Sequence, residues 1–173
     1  MPTGAASTRL VVLRGPSASG KTTAALALRP LLGPKTALIH QDYFRRELLH
    51  SDERLERAAD AAALIIATAR QALDRGYDVI LDGIFNLRDY ADALEQLAND
   101  HAGTTRIYAF DLPLDETIRR HATRPLSAEF GEDKLRDWYD GWQPLPRLAE
   151  TRVTADVTTD KLVAMVLRDV ERP

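Results

Sequence analysis

Cysteine is absent from the 173-residue chain, which excludes both a disulfide framework and a thiolate zinc site. No stretch approaches the ~18 uninterrupted apolar residues that a membrane span requires, so no membrane partner is expected. An excess of positive charge is missing as well. Lys and Arg number 23 against 26 Asp and Glu, and the formal net charge of -3 argues against a general polyanion binder. Nor is there a basic tract interleaved with aromatics. The opening Met1–Thr8 lacks a charged region followed by an apolar core, so no secretory leader is expected and cytoplasmic residence is the default. Repeats and low-complexity tracts are absent too. A length of 173 residues points to one domain, 1–173, large enough to bury a core without staples. The sequence carries no signature of an oligomeric state.

What the chain does have is Gly15-Pro16-Ser17-Ala18-Ser19-Gly20-Lys21-Thr22, which fits G-x-x-x-x-G-K-[ST]. Such a loop must turn so that successive backbone N–H groups point inward at phosphate oxygens, and glycine permits the dihedrals this needs. Gly15, Ser17, Ala18, Ser19, Gly20, Lys21, Thr22 and Thr23 are therefore the expected nucleotide-binding residues. The Lys21 ammonium serves the β- and γ-phosphates, and the Thr22 hydroxyl can join the shell of a magnesium ion. Context supports the motif. Leu10-Val11-Val12-Leu13 reads as a buried parallel strand, and Thr23–Leu28 is helix-forming, with its positive dipole end under the anion.

Further on, Arg29-Pro30 and Gly33-Pro34 are expected to break the loop helix. Thr36–His40 reads as a second strand. It delivers Gln41-Asp42-Tyr43-Phe44-Arg45-Arg46 to the carboxyl end of the sheet, where open α/β sheets place ligands. Ser51-Asp52-Glu53 offers a helix start, and Leu55, Ala58, Ala62, Ile65, Ala69 and Ala72 recur at helical spacing up to Gly76. Tyr77–Asp82 is a third strand, Leu87–Ala98 a helix, and Arg106–Phe110 a fourth strand. After Pro113 comes a helix with Leu114, Ile118 and Ala122 as its inward stripe, ending before Pro125. A weak strand near Arg152–Thr154 and a helix from Thr159 to Val170 complete the chain. Strands alternating with helices predict a mostly parallel sheet with helices on both faces.

Two carboxylates end strands. Asp42 suits a base beside an attacking hydroxyl, since phosphoryl transfer needs positioning, charge neutralisation and a proton acceptor. Equally, it could cap a helix over Tyr43–Leu49. Asp82, closing an apolar strand, suits a magnesium site, or is simply a polar strand end beside a Gly83 turn. Arg119, Arg120 and Arg124 cluster with His121. Arg120 and Arg124, four apart, share a helical face, which is otherwise a solvated set of cations at a helix C-terminus. Trp138 and Trp142 would share a helical side as core, or form a stacking wall for a planar acceptor. His40 and His121 stand too isolated to suggest a metal site.

On these residues the chain resembles the small P-loop kinases, over nearly its whole length. His40-Gln41-Asp42-Tyr43-Phe44-Arg45 is similar to the aspartate-then-arginine element of the polynucleotide 5′-hydroxyl kinase and chloramphenicol phosphotransferase type. Val79–Leu87 resembles that group's third-strand element, with Ile84-Phe85 standing before Asn86 where a Thr-Asn pair is common. The resemblance implies a three-layer P-loop NTPase fold with a five-stranded sheet and a small helical lid at about 119–147. It also implies ATP and Mg2+ as cofactors, Asp42 activating the acceptor hydroxyl, and Arg45 or Arg46 gripping the acceptor. Asp82 would stand beside that acceptor and hold the metal with Thr22. Lys21, Arg120 and Arg124 would act on the transferring phosphates.

The expected activity is ATP-dependent phosphorylation of a small-molecule hydroxyl: a nucleoside, sugar or antibiotic. A polynucleotide 5′-hydroxyl is the second acceptor considered, favoured by the Asp42–Arg45 spacing and opposed by the acidic balance. A nucleotide switch or a regulator without transfer belongs to another class. No Asn-Lys-x-Asp element accompanies the loop, and Gly83 stands where a motor ATPase usually carries an acid.

Overall fold

A computed structural model describes residues 1–51, 58–123 and 131–171. Its elements in chain order are β1 (Arg9–Arg14), α1 (Lys21–Leu32), β2 (Thr36–His40), a π-helical segment (Tyr43–Leu48), α2 (Ala58–Asp74), β3 (Asp78–Gly83) and α3 (Leu87–Asp100). Next come β4 (Thr104–Asp111), α4 (Leu114–His121), α5 (Glu132–Trp138), β5 (Thr151–Thr154) and α6 (Thr159–Val170). The five strands form one sheet in the order β2-β3-β1-β4-β5, and every neighbouring pair is parallel. The parallel sheet is what the strand–helix alternation predicts, and the whole is the three-layer P-loop NTPase fold that the resemblance implies.

Alternation along the strands explains the layers. Leu10 and Val12 of β1 join Val79 and Leu81 of β3 against Ile65, Ala69 and Leu73 of α2 and Tyr90, Leu94 and Leu97 of α3. Val11 and Leu13 point to the other face. There, with Ile80, Tyr108 and Phe110, they meet Ala24, Ala25 and Leu28 of α1 and Leu162, Val166 and Val170 of α6. A strand segment buried on both faces favours apolar residues throughout, which is why Leu10–Leu13 and Val79–Leu81 read as hydrophobic runs, with the buried charges Arg14 and Asp82 held to the carboxyl ends.

β2, next to β1 in sequence, is not its neighbour in the sheet, because β3 is inserted between them. Asp82 on β3 is therefore next to the phosphate-loop strand, and Asp42 lies one strand farther out. Helix α1 also runs through Pro30 to Leu32 instead of stopping there. Proline removes only the bond to the Leu26 carbonyl, and both residues lie on the solvent face, where water can replace it.

In α4 the buried residues are Thr117 and His121, with Leu114 and Ile118 partly covered. Ala122, expected inward, is exposed. The helix is rotated so that the stripe is 114, 117, 118 and 121, the usual one-face spacing. Of the expected α2 start, Asp52, Glu53 and Leu55 lie outside the described residues; Gly76, at φ +75°, stands just beyond its end. No helix among the described residues is long and apolar enough to cross a membrane.

Candidate active site

The loop between β1 and α1 takes left-handed dihedrals at Gly15 (φ +138°), Ala18 (φ +58°) and Gly20 (φ +104°). Glycine is required at 15 on space as well, since a Cβ there would stand 2.6 Å from the Phe110 carbonyl oxygen. Ala18 accepts the same sign of φ with its methyl buried, a strained conformation retained inside the loop. Lys21 is 7% exposed, and its Nζ donates to the Pro16 carbonyl at 2.6 Å and to Ser19 Oγ at 3.1 Å. Nothing acidic precedes Thr22 in the first turn of α1, so the helix presents its amide end without a competing side-chain anion.

Ser17, Ala18, Ser19, Gly20, Lys21 and Thr22 form one wall of a cavity of about 710 Å³. His40, Asp42, Arg45, Arg46, Asp82 and Trp138 also line it. The structure thus gathers most of the sequence-predicted residues around a single space, of the size that small-molecule sites occupy. Gly15 and Thr23 do not line it. Gly15 borders a separate hollow of about 30 Å³ near Trp142, and Thr23 is exposed on α1.

Parallel pairing of β2 with β3 sets His40 opposite Asp82. The His40 Nδ1–H donates to Asp82 Oδ2 at 2.8 Å, and Thr22 Oγ1 donates to the same oxygen at 2.7 Å. The hydrogen bond to Asp82 raises the His40 pKa, partly opposed by burial and helped by the charges of Asp82 and Asp42. Asp82 is 4% exposed, and its Oδ1 is buried without a hydrogen-bond partner among the described residues. A buried carboxylate with an unsatisfied oxygen beside a threonine hydroxyl fits a hard divalent cation. No group of three or more histidines and acids that could hold a metal ion exists among the described residues. Thr22 and Asp82 are the residues here that could hold such a cation.

Asp42 does not cap the segment that follows. It is helical (φ -62°, ψ -34°), makes no side-chain cap bond, and is exposed to the cavity. Its position is set by Gln41, whose buried Oε1 accepts the Ile84 amide hydrogen at 2.8 Å and so ties the end of β2 to the turn after Asp82. The wide π-helical turn that follows turns Phe44 into the core and buries Arg45, while Arg46 stays exposed; both arginines line the cavity. Asn86 caps α3, accepting from the Asp89 amide, and is thereby a structural residue.

Arg120 reaches the phosphate loop. Its Nη1 donates to the Ser19 carbonyl at 3.1 Å, Nη2 to the Ala155 carbonyl at 3.1 Å, and Nε to Glu116 Oε1 at 2.6 Å. Arg119 turns outward and pairs with the same Glu116, and the two guanidiniums hold that carboxyl down to about 2. Arg124 lies outside the described residues.

The tryptophans part company. Helix α5 ends at Trp138, half-buried on the cavity wall, while Trp142 lies beyond the helix, 39% exposed, under the Arg152 guanidinium at 5.2 Å. They share no helical side, and neither belongs to the hydrophobic core. Two contributors to the site were not singled out from sequence: His40 looked isolated, and Gln41, although inside the His40–Arg45 element, was given no role; Trp138 was left between core and wall. Pairing of β2 with β3 by their ends was the one signal that could have joined His40 to Asp82.

A sequence family described as AAA domain matches residues 10–145. Among curated proteins none matches the sequence. Solved structures similar to the chain include APS kinase from Mycobacterium tuberculosis in complex with AMPPNP and APS, at 21% identity and TM-score 0.70, covering 99% of each chain. A gluconokinase from Sinorhizobium meliloti 1021 is 15% identical with TM-score 0.69, covering 97% of this chain and 94% of its own. A sugar kinase from Janibacter sp. HTCC2649 is 18% identical with TM-score 0.67, covering 95% of each.

Proposed function

The chain belongs to the AAA domain family, and from that premise we propose that it is a small P-loop kinase that transfers the γ-phosphoryl group of ATP to a hydroxyl of a small molecule. The observation that carries this reading is a single cavity of about 710 Å³ bounded by the phosphate loop, Asp82 and Asp42. A switch ATPase needs no exposed carboxylate set apart from its metal site; a kinase needs one for its acceptor.

In this reading the loop amides and the Lys21 ammonium bind the β- and γ-phosphates, and Lys21 leaves the Pro16 carbonyl to do so. Thr22 and Asp82 would hold Mg2+, which when bound neutralises charge on the β- and γ-oxygens. Asp42 orients the acceptor hydroxyl and takes its proton. The acceptor oxygen forms a bond to the γ-phosphorus while the bond from that phosphorus to the β,γ-bridging oxygen breaks, and the electron pair departs with ADP. Arg45 and Arg46 grip the acceptor. Arg120, already against Ser19, stabilises the charge that develops on the transferring phosphoryl group. Kinases of APS, gluconate and sugars among the structural neighbours support a small acceptor.

The test is transfer from γ-labelled ATP with magnesium across nucleosides, sugars, sugar acids, aminoglycosides and 5′-hydroxyl oligonucleotides. Label is expected on one small-molecule class. The Asp42→Asn variant should keep its ATP affinity and lose about 10²–10⁴-fold in transfer rate. Labelling of no acceptor, or undiminished transfer by that variant, overturns the reading.

A further inference from the structure

We propose that His40 is a positioning residue for the metal site, holding Asp82 in the orientation in which it and Thr22 receive the nucleotide-bound cation. The inference rests on the kinase reading of the same cavity. Asp82 Oδ2 takes two hydrogen bonds from two different elements: Thr22 Oγ1 on α1 at 2.7 Å and His40 Nδ1 on β2 at 2.8 Å. The terminal torsion of an aspartate is broad and two-fold, so one donor leaves the carboxylate free to swing, whereas donors from two separate elements restrict it. Thr22, at the start of α1, is itself expected to meet the cation, so its hydroxyl is shared between the metal and Asp82. His40 is attached to the sheet. Its backbone lies in register with Asp82 in the parallel pairing of β2 and β3, so the donor is held by the same ladder that carries the acceptor.

Burial sharpens the requirement. With Asp82 4% exposed and Oδ1 lacking a partner among the described residues, the two donors at Oδ2 are the carboxylate's main polar restraints, and loss of one is costly. Groups that hydrogen-bond metal-site carboxylates in this way set metal affinity by about 10–100-fold. Neither the phosphate-loop pattern nor the strand-end aspartates call for a histidine at this position. The contribution comes from this chain's own β2 end.

The experiment measures Mn2+ binding by electron paramagnetic resonance in the presence of AMPPNP, for wild type, His40→Phe and His40→Asn, together with AMPPNP affinity in EDTA. His40→Phe is expected to weaken Mn2+ by at least about tenfold. His40→Asn, whose side-chain amide can stand in for the Nδ1–H, should restore most of that affinity, and AMPPNP affinity in EDTA should be equal in all three. Unchanged Mn2+ affinity in His40→Phe overturns the proposal. So does an equal loss of metal-free nucleotide binding, which would mark a merely structural role, or failure of His40→Asn to recover. If His40→Phe does not fold, His40→Ala replaces it under the same criteria. Wild type that binds Mn2+ with AMPPNP yet phosphorylates no acceptor defeats the kinase reading and leaves this comparison standing.

Discussion

Arg14 Nη1 and Glu150 Oε1 lie 2.8 Å apart, with both side chains almost wholly buried. Arg14 is the last residue of β1 and immediately precedes the phosphate loop; Glu150 immediately precedes β5. The same glutamate accepts the Leu145 amide hydrogen through Oε2 at 2.6 Å, and Arg14 Nε donates to the Phe85 carbonyl at 3.3 Å. One ion pair thus fastens three things together: the lead-in to the loop, the turn after Asp82, and the return segment from the cavity wall.

Removing one half of a buried pair strands the other charge without solvent. Glu150→Ala should therefore lower unfolding free energy by about 3–5 kcal/mol, read from urea denaturation. A loss below about 1 kcal/mol would mean that water reaches Arg14 and the pair is not isolated as described.

Gly83 has no room for a side chain. A Cβ there would stand 2.6 Å from Gln41 Cβ and 2.8 Å from the Phe85 ring. Gly83→Ala should cost about 1–3 kcal/mol in stability. It should also slow transfer, because Gln41 is the anchor that precedes Asp42. Retention of wild-type stability would show that this turn relaxes freely.

Lys21→Ala should weaken ATP binding by about tenfold or more, the worth of one charge-assisted hydrogen bond, as measured by calorimetry. Since the ammonium also bonds to the Pro16 carbonyl, a small change in thermal stability is expected alongside. Undiminished nucleotide affinity in this variant would remove the foundation of the functional reading.

His101 supplies a pH dependence. Its ring nitrogens lie 2.9 Å from Thr8 Oγ1 and 2.8 Å from Thr105 Oγ1, and burial lowers its pKa below the ordinary value of 6.5. The unfolded chain then binds a proton near pH 6.5 that the folded chain refuses. This histidine's contribution to stability is complete above that pH and falls as the pH drops toward the depressed folded value. His101→Gln should flatten that part of the stability profile in urea titrations from pH 7.5 to pH 5. A slope identical to wild type would contradict the assignment.

Much of the fold was legible because its signals are local. Thr36–His40 and Thr159–Val170 coincide with β2 and α6 residue for residue, and the loop motif sits between strand and helix as its physics demands. The misreadings share one cause. Pro30 was judged by the intrinsic helix-breaking of proline, and Ala122 and the tryptophan pair by spacing, whereas solvent on one helix face, the rotation of α4 and the end of α5 at Trp138 decided them.

The sequence by itself determined a phosphate-gripping turn between a buried strand and a helix, and two strands ending on Asp82 and next to Asp42. Side-chain type and short spacing suffice for that. Only tertiary structure decided that β3 intervenes between β1 and β2, that His40 therefore meets Asp82, that Arg120 rests on Ser19, and that Trp138 faces the cavity. Parallel strands exchange hydrogen bonds with partners tens of residues away, so which ends become neighbours is set by packing the whole sheet, not by any local pattern.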